Sequence, residues 1–449
     1  MEHSKLSSFL LALDSLSIYR GLLENKVFSK LKALLISSTK SDIDLREIIN
    51  SYHEFYFELA QENSTMSLKD YVLDQIIFDE NPFTFQQQTA QINSANPAIE
   101  KAAAQDLNGL QLISQLDPGI IKAHLSELFK DNPNSTLIEN LPEWVLNTHT
   151  SSLSDHLDHI KEHVNAFDHW QDSLEELRKF HKHFGCGLFA RYFAFVWERA
   201  NGSGYIRGID SPDPITLNGL VGYQDERSRV IENTLQFLNG FPSNNVLLYG
   251  DRGTGKSSTV KAILNEYHNQ GLRMLEIPKA YLADFPLIIR QLKNRTQNFI
   301  LFIDDLVFGE NEENYTSLKA VLEGGLESKT PNILIYATSN RRHLVKEYFN
   351  ERMGLQSNNH AEEVHAGDTM QEKLSLADRF GINVVFSSPN QNKYLEIVKG
   401  IAARRNLNID QERLQRDALQ WALWYNGRSA RTAQQFVDWI EGKINLQEG

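Results

Sequence analysis

At 449 residues the chain is longer than one hydrophobic core usually serves, so two or more domains are expected. A hydrophobic fraction of 41% and a charged fraction of 23% exclude collagen-like and disordered classes. The formal net charge of −13 disfavours general adhesion to nucleic-acid phosphates, and the single cysteine, Cys186, excludes an internal disulfide or a cysteine-rich zinc ribbon.

From residue 1 to about 200 apolar residues recur at three- and four-residue spacing, as in LSSFLLALDSLSIYRGLLENKVFSKLKALL, which predicts amphipathic helices and no strand. The opening apolar stretch is interrupted by Asp14 with no small-residue cleavage site after it, and no run reaches about 18 apolar residues. A cytoplasmic protein without membrane insertion is therefore expected. Residues 84–98 and 131–142 are polar and predict loops. His159, Glu162 and His163 have the H-x-x-E-H spacing of a zinc site. They lie on a charged amphipathic helix without a further ligand nearby, so a solvated helical face is expected. His181, His183 and Cys186 are close in sequence, but the apolar run LFARYFAFVW beside them favours packing over metal binding or thiol chemistry.

The acidic excess lies mostly before residue 210, leaving room for a basic groove further on. Residues 201–219, NGSGYIRGIDSPDPITLNG, are dense in turn formers and predict a domain boundary, with residues 1–204 as a helical region. Beyond it the runs VLLYG, RMLEI, FILFIDD, NILIYATS and INVVF alternate with helical patterns. Their unbroken apolarity predicts strands covered on both faces, hence a parallel sheet in an α/β domain spanning 205–389. Residues 390–449 return to helical periodicity and predict a small helical lid.

Gly250, Asp251, Arg252, Gly253, Thr254, Gly255, Lys256, Ser257 and Ser258 carry the pattern G-x-x-x-x-G-K-[ST], with an apolar strand before and an amphipathic helix after. Backbone N–H groups of such a loop wrap a polyphosphate, glycines allow close approach, and the helix N-terminus favours negative charge. Lys256 is then expected at the β- and γ-phosphates and the Ser257 hydroxyl on Mg²⁺. FILFIDD supplies Asp304 as the acidic Mg²⁺ partner and Asp305 as the group that orients or deprotonates water. Paired Arg341 and Arg342 are expected either in salt bridges or in contact with a substrate.

With these pieces placed, the second half resembles the AAA+ ATPase superfamily, and within it a bacterial family of AAA+ ATPases of unknown biological role. The resemblance rests on LVGYQDERSRVIENTLQFL, NNVLLYGDRGTGKSSTVKAILNEY, FILFIDDL, LKAVLEGGLE, ILIYATSNRRHL, LSLADRFGINV and GRSARTAQQFVDWI, in order over residues 205–445. It implies a P-loop sheet with strand order 5-1-4-3-2, a C-terminal helical lid, ATP and Mg²⁺ as ligands, and assembly into a homo-oligomeric ring, a hexamer among the possible sizes. Leu220, Val221 and Gly222 look like the segment that packs on adenine. Asn340 resembles sensor 1, Arg379 resembles an arginine finger given to a neighbouring subunit, and Arg431 resembles sensor 2, with Arg428 as its rival. Asp305 stands where glutamate is common, and the polar stretch 354–373 precedes the finger. The implied activity is ATP hydrolysis that remodels a macromolecular client, a protein rather than a nucleic acid. Two alternatives are an ATP-controlled binding module with little turnover and a DNA or RNA motor.

Overall fold

The computed structural model describes residues 2–40, 44–63, 66–88, 96–145, 155–306, 318–319, 322, 330–340, 379–425 and 427–448. Arg341, Arg342, the stretch 354–373 and most of LKAVLEGGLE lie outside the described residues. The chain divides into two compact units, Met1–Arg191 and Tyr192–Gly449.

The first unit is built of helices, as its periodicity predicts. Its core gathers an apolar stripe from each, including Leu31, Phe55, Ile76 and Leu107, with Trp144 added from the segment after Thr136–Glu139. The stretch expected to be a loop from residue 84 begins as helix, Pro82–Gln88. Asn81 and Thr84 cap it reciprocally, Asn81 N–H donating to Thr84 Oγ1 at 2.9 Å and Thr84 N–H to Asn81 Oδ1 at 3.0 Å. The second expected loop likewise contains a short helix, Thr136–Glu139.

The second unit contains a seven-stranded sheet. Its strands are β1 (Ala194–Ala200), β2 (Ser203–Gly208), β3 (Val246–Gly250), β4 (Leu272–Glu276), β5 (Asn298–Ile303), β6 (Ile333–Ser339) and β7 (Ile382–Phe386). The order is β2-β1-β4-β5-β6-β3-β7. Strands β3 to β7 are those predicted, all parallel, and in chain order they give the expected 5-1-4-3-2. Every residue of β6 is buried, which is why its sequence is apolar without alternation.

The β1–β2 hairpin corrects the expectation of no strand before residue 200. It pairs antiparallel within itself, and β1 adds in parallel to β4. The turn-rich segment read as a boundary is therefore partly strand, and the division between units falls before it, at Arg191 and Tyr192. Farther on, that segment is tied to the sheet's first crossover helix, because Asn265 Nδ2 donates to the carbonyls of Asp213 and Ile215 at 2.7 Å each. The lid consists of helices Gln391–Arg404, Gln411–Trp424 and Ala430–Glu448. One hydrophobic core runs from the sheet into it, joining Val246, Leu248 and Phe386 to Tyr394, Ile397 and Phe436.

Candidate functional site

Strand β3 stops at Gly250, whose φ is +130°. A Cβ there would lie 2.2 Å from the carbonyl oxygen of Phe386 on β7, so only glycine lets the neighbouring strand approach. The loop that follows turns into helix Lys256–Tyr267 at Gly255, with φ +94°. A Cβ on Gly255 would meet no protein atom within 4 Å, because the residue borders open cavity.

The loop is braced from behind. Asp251 accepts the Ser388 N–H at 2.8 Å, and the Ser388 side chain, followed by that N–H, holds its carboxyl below the usual carboxylate range. Thr254 Oγ1 donates to Asp251 O at 2.9 Å. The Arg431 N–H donates to Gly253 O at 2.9 Å, joining the loop to the first turn of the last lid helix.

Lys256 Nζ donates to Gly250 O at 2.9 Å, Asp251 O at 2.7 Å and Asn340 Oδ1 at 3.1 Å. Burial lowers its pKa from the ordinary lysine value, against the opposing pull of Asp251, Asp305 and Asp304. Ser257 Oγ donates to Asp304 Oδ1 at 2.6 Å. Asp305, at φ +53°, is turned out of the strand direction. Asn340 Nδ2 donates to its Oδ1 at 2.6 Å, and Lys279 Nζ lies 3.1 Å from its Oδ2. Asp304, Asp305, Asn340, Lys256 and Ser257 thus border one cavity of about 420 Å³, with Arg252 and Arg431 on its rim.

A second cavity of about 500 Å³ shares Gly253, Thr254, Gly255, Ser258 and Arg431 with the first. Leu220, Val221, Ile397 and Ile401 give it an apolar wall. Val221 packs on Gly400 so closely that a Cβ there would come within 2.5 Å of its Cγ1. Gly222 packs against Ile397, with a Cβ position 2.9 Å from its Cγ1. Arg227 also lines this cavity, its Nη2 donating to Leu220 O at 3.0 Å and its pKa lowered by burial.

Arg379 is not brought to these cavities. It precedes β7, and the five residues of that strand place it roughly 15 Å from the phosphate loop, at the sheet's opposite end. Both Arg431 and Arg428 are exposed, but only Arg431 borders the two cavities. Sequence reasoning missed Thr338, Lys279, Arg227 and the wall formed by Pro214, Ile215 and Thr216. Only the last had a signal, its dense turn composition, and that pointed to a linker.

In the first unit His159, Glu162 and His163 are exposed on helix Asp155–Ala166. Among the described residues no group of three or more His, Cys, Asp or Glu is placed to hold a metal ion. His181 and Cys186 are fully buried, whereas His183 is exposed.

A family model described as "Protein of unknown function (DUF815)" matches residues 190–444. The 26S proteasome regulatory subunit 4 homolog of Schizosaccharomyces pombe is 39% identical over 70 residues, 14% of this chain. The match spans 16% of that relative's length. Two solved structures of mutant Thermotoga maritima RuvB are 13% and 14% identical and cover 53% of this chain. They are covered over 67% and 68% of their own length, with TM-scores of 0.37 and 0.36.

Proposed function

The chain belongs to the DUF815 family, and from that premise we propose that its second unit is an AAA+ ATPase that binds and hydrolyses ATP with Mg²⁺, coupling nucleotide state to the remodelling of a macromolecular client. The observation that carries the reading is the pair of contiguous cavities, one apolar and one lined by the phosphate loop and two carboxylates. A nucleoside polyphosphate has the same division, a flat apolar base at one end and charge at the other.

The donor set fits Mg²⁺. Ser257 and Asp304 offer a hydroxyl and a single carboxylate 2.6 Å apart, an oxygen-only pair of the kind that takes this ion together with phosphate and water oxygens. Bound there, Mg²⁺ would neutralise phosphate charge and orient the γ-phosphate. Lys256 would exchange the carbonyls of Gly250 and Asp251 for phosphate oxygens. Asp305, aimed by Asn340, is the group positioned to take a proton from water. Arg431 would let the lid sense phosphate. The distance of Arg379 from its own cavity favours delivery to a neighbouring protomer, and hence a ring. The net charge of −13 favours a protein client. No helix among the described residues is long and apolar enough to cross a membrane.

The test is steady ATP turnover by the full chain against an Asp305→Asn variant, with calorimetric ATP binding measured in parallel. Hydrolysis is expected to fall at least about a hundredfold in the variant while binding persists. Wild-type chain that takes up no ATP with saturating Mg²⁺ would end the reading. A second reading, ATP-controlled assembly with little turnover, draws on the engagement of both Asp305 oxygens by Asn340 and Lys279. Binding with negligible wild-type turnover would select it.

A further inference from the structure

Thr338 is 1% exposed at the end of β6, and no sequence pattern marks it. Its hydroxyl carries one proton and can accept through its lone pairs. The proton goes to Asp304 Oδ1 at 2.6 Å, and the oxygen accepts the Asp305 N–H at 2.8 Å. One residue therefore touches the side chain of the first acid and the backbone of the second. Its own carbonyl accepts the Leu306 N–H at 2.6 Å, so β6 grips three consecutive residues where β5 ends.

Two consequences follow from that grip. In a continuing strand Asp304 and Asp305 would face opposite sides of the sheet. The turn at Asp305, φ +53°, with its N–H fixed on Thr338, brings both carboxylates to the 420 Å³ cavity instead. Asp304 Oδ1 also receives two O–H donors, Ser257 from the phosphate-loop helix and Thr338 from β6. Two donors on separate elements fix the rotation of the carboxylate plane.

We propose that Thr338 is a positioning residue for the divalent cation: it sets the Asp304 carboxylate that, with Ser257, receives Mg²⁺ beside the bound nucleotide. The assignment rests on the ATP–Mg²⁺ reading above. Groups that orient a metal ligand without touching the metal typically change metal affinity by about 10- to 100-fold when removed. A purely architectural threonine would instead weaken nucleotide binding with and without metal alike.

The experiment is calorimetric titration of full-length chain with a slowly hydrolysed ATP analogue, once in EDTA and once in saturating Mg²⁺. Thr338→Val keeps the shape and removes the hydroxyl. It is expected to leave affinity in EDTA within about twofold of wild type and to cut the enhancement by Mg²⁺ about tenfold. Thr338→Ser restores the hydroxyl and is expected to restore the enhancement. Thr338→Ala supplies a second hydroxyl-free chain, expected to behave as the valine variant, in case the branched side chain disturbs folding. An unchanged enhancement in the hydroxyl-free variants, an equal loss in both arms, or a serine variant as impaired as valine overturns the proposal. Wild-type chain with no ATP uptake or no Mg²⁺ enhancement overturns the underlying reading, and that outcome is seen before any variant is compared.

Discussion

Asp106 in the helical unit and Asp305 in the α/β unit are both acidic side chains held by hydrogen bonds, yet the bonds differ in kind. Asp106 is 2% exposed and accepts the backbone N–H groups of Ser17, Ile18 and Tyr19 and the Ser17 hydroxyl. Asp305 borders a cavity, lies in the left-handed region at φ +53°, and is held by Asn340 and Lys279 side chains. Backbone donors cannot leave without unfolding a turn, whereas side-chain donors can exchange partners when a ligand arrives. Asp106 thus serves to fix the fold of the helical unit, whereas Asp305 keeps partners that a ligand can replace.

The strongest way to break that contrast is Asp106→Ala. It would strand three N–H groups at the start of the 3-10 helix Tyr19–Glu24, that of Tyr19 buried and those of Ser17 and Ile18 part-buried, and an unsatisfied donor costs up to about 1–3 kcal/mol when buried. A loss of about 4 kcal/mol is expected, read by denaturant unfolding of the full chain, with ATP affinity unchanged. A variant of normal stability but altered ATP affinity would show that Asp106 belongs to function and not to architecture.

His181 sharpens the same point through pH. Its ring is fully buried between Phe83 and Phe180, Nδ1 bonds to Gly185 O at 3.1 Å, and Nε2 meets no partner among the described residues. Burial lowers its pKa from 6.5 to about 4. The unfolded chain therefore binds the proton first on acidification. The histidine's contribution is complete above pH 6.5, declines as pH falls through the window, and is exhausted near pH 4, for a total of about 3 kcal/mol. His181→Gln cannot titrate, so the difference in unfolding free energy between wild type and variant should shift by this amount from pH 7 to pH 4. A constant difference would mean that the imidazole finds water in the folded state.

What the sequence disclosed follows the same division. The phosphate loop was legible because its glycines, lysine and serine are contiguous, and strands β3 to β6 because nearly all their residues are buried, whereas β7, an edge strand with Asn383 and Val385 exposed, was legible only as a short apolar run. The β1–β2 hairpin was hidden by its glycines. Gly204 leaves room for the Trp197 ring, where a Cβ would lie 2.1 Å from Cζ2, and Gly208 does the same for Tyr192. Cross-strand aromatic packing thus took on the composition of a linker. Thr338 and Lys279 were hidden for another reason. Each meets the acidic pair only through the sheet's parallel crossovers, 34 and 26 residues away in sequence, and nothing local distinguishes them.

Lys256→Ala is the smallest expected effect and the most direct test of exchangeability. Its ammonium donates to Gly250 O, Asp251 O and Asn340 Oδ1, yet burial lowers its pKa against the opposing pull of Asp251, Asp305 and Asp304. Removing a cation whose charge burial disfavours should leave the unfolding midpoint unchanged. A charge-assisted bond to phosphate contributes about 1.5–3 kcal/mol, so ATP affinity should fall about 30-fold in calorimetry, with the deficit smaller for ADP. Loss of stability comparable to that of Asp106→Ala would show that Lys256 is as architectural as the helical unit's aspartate, and the contrast between the two units would fail at its central residue.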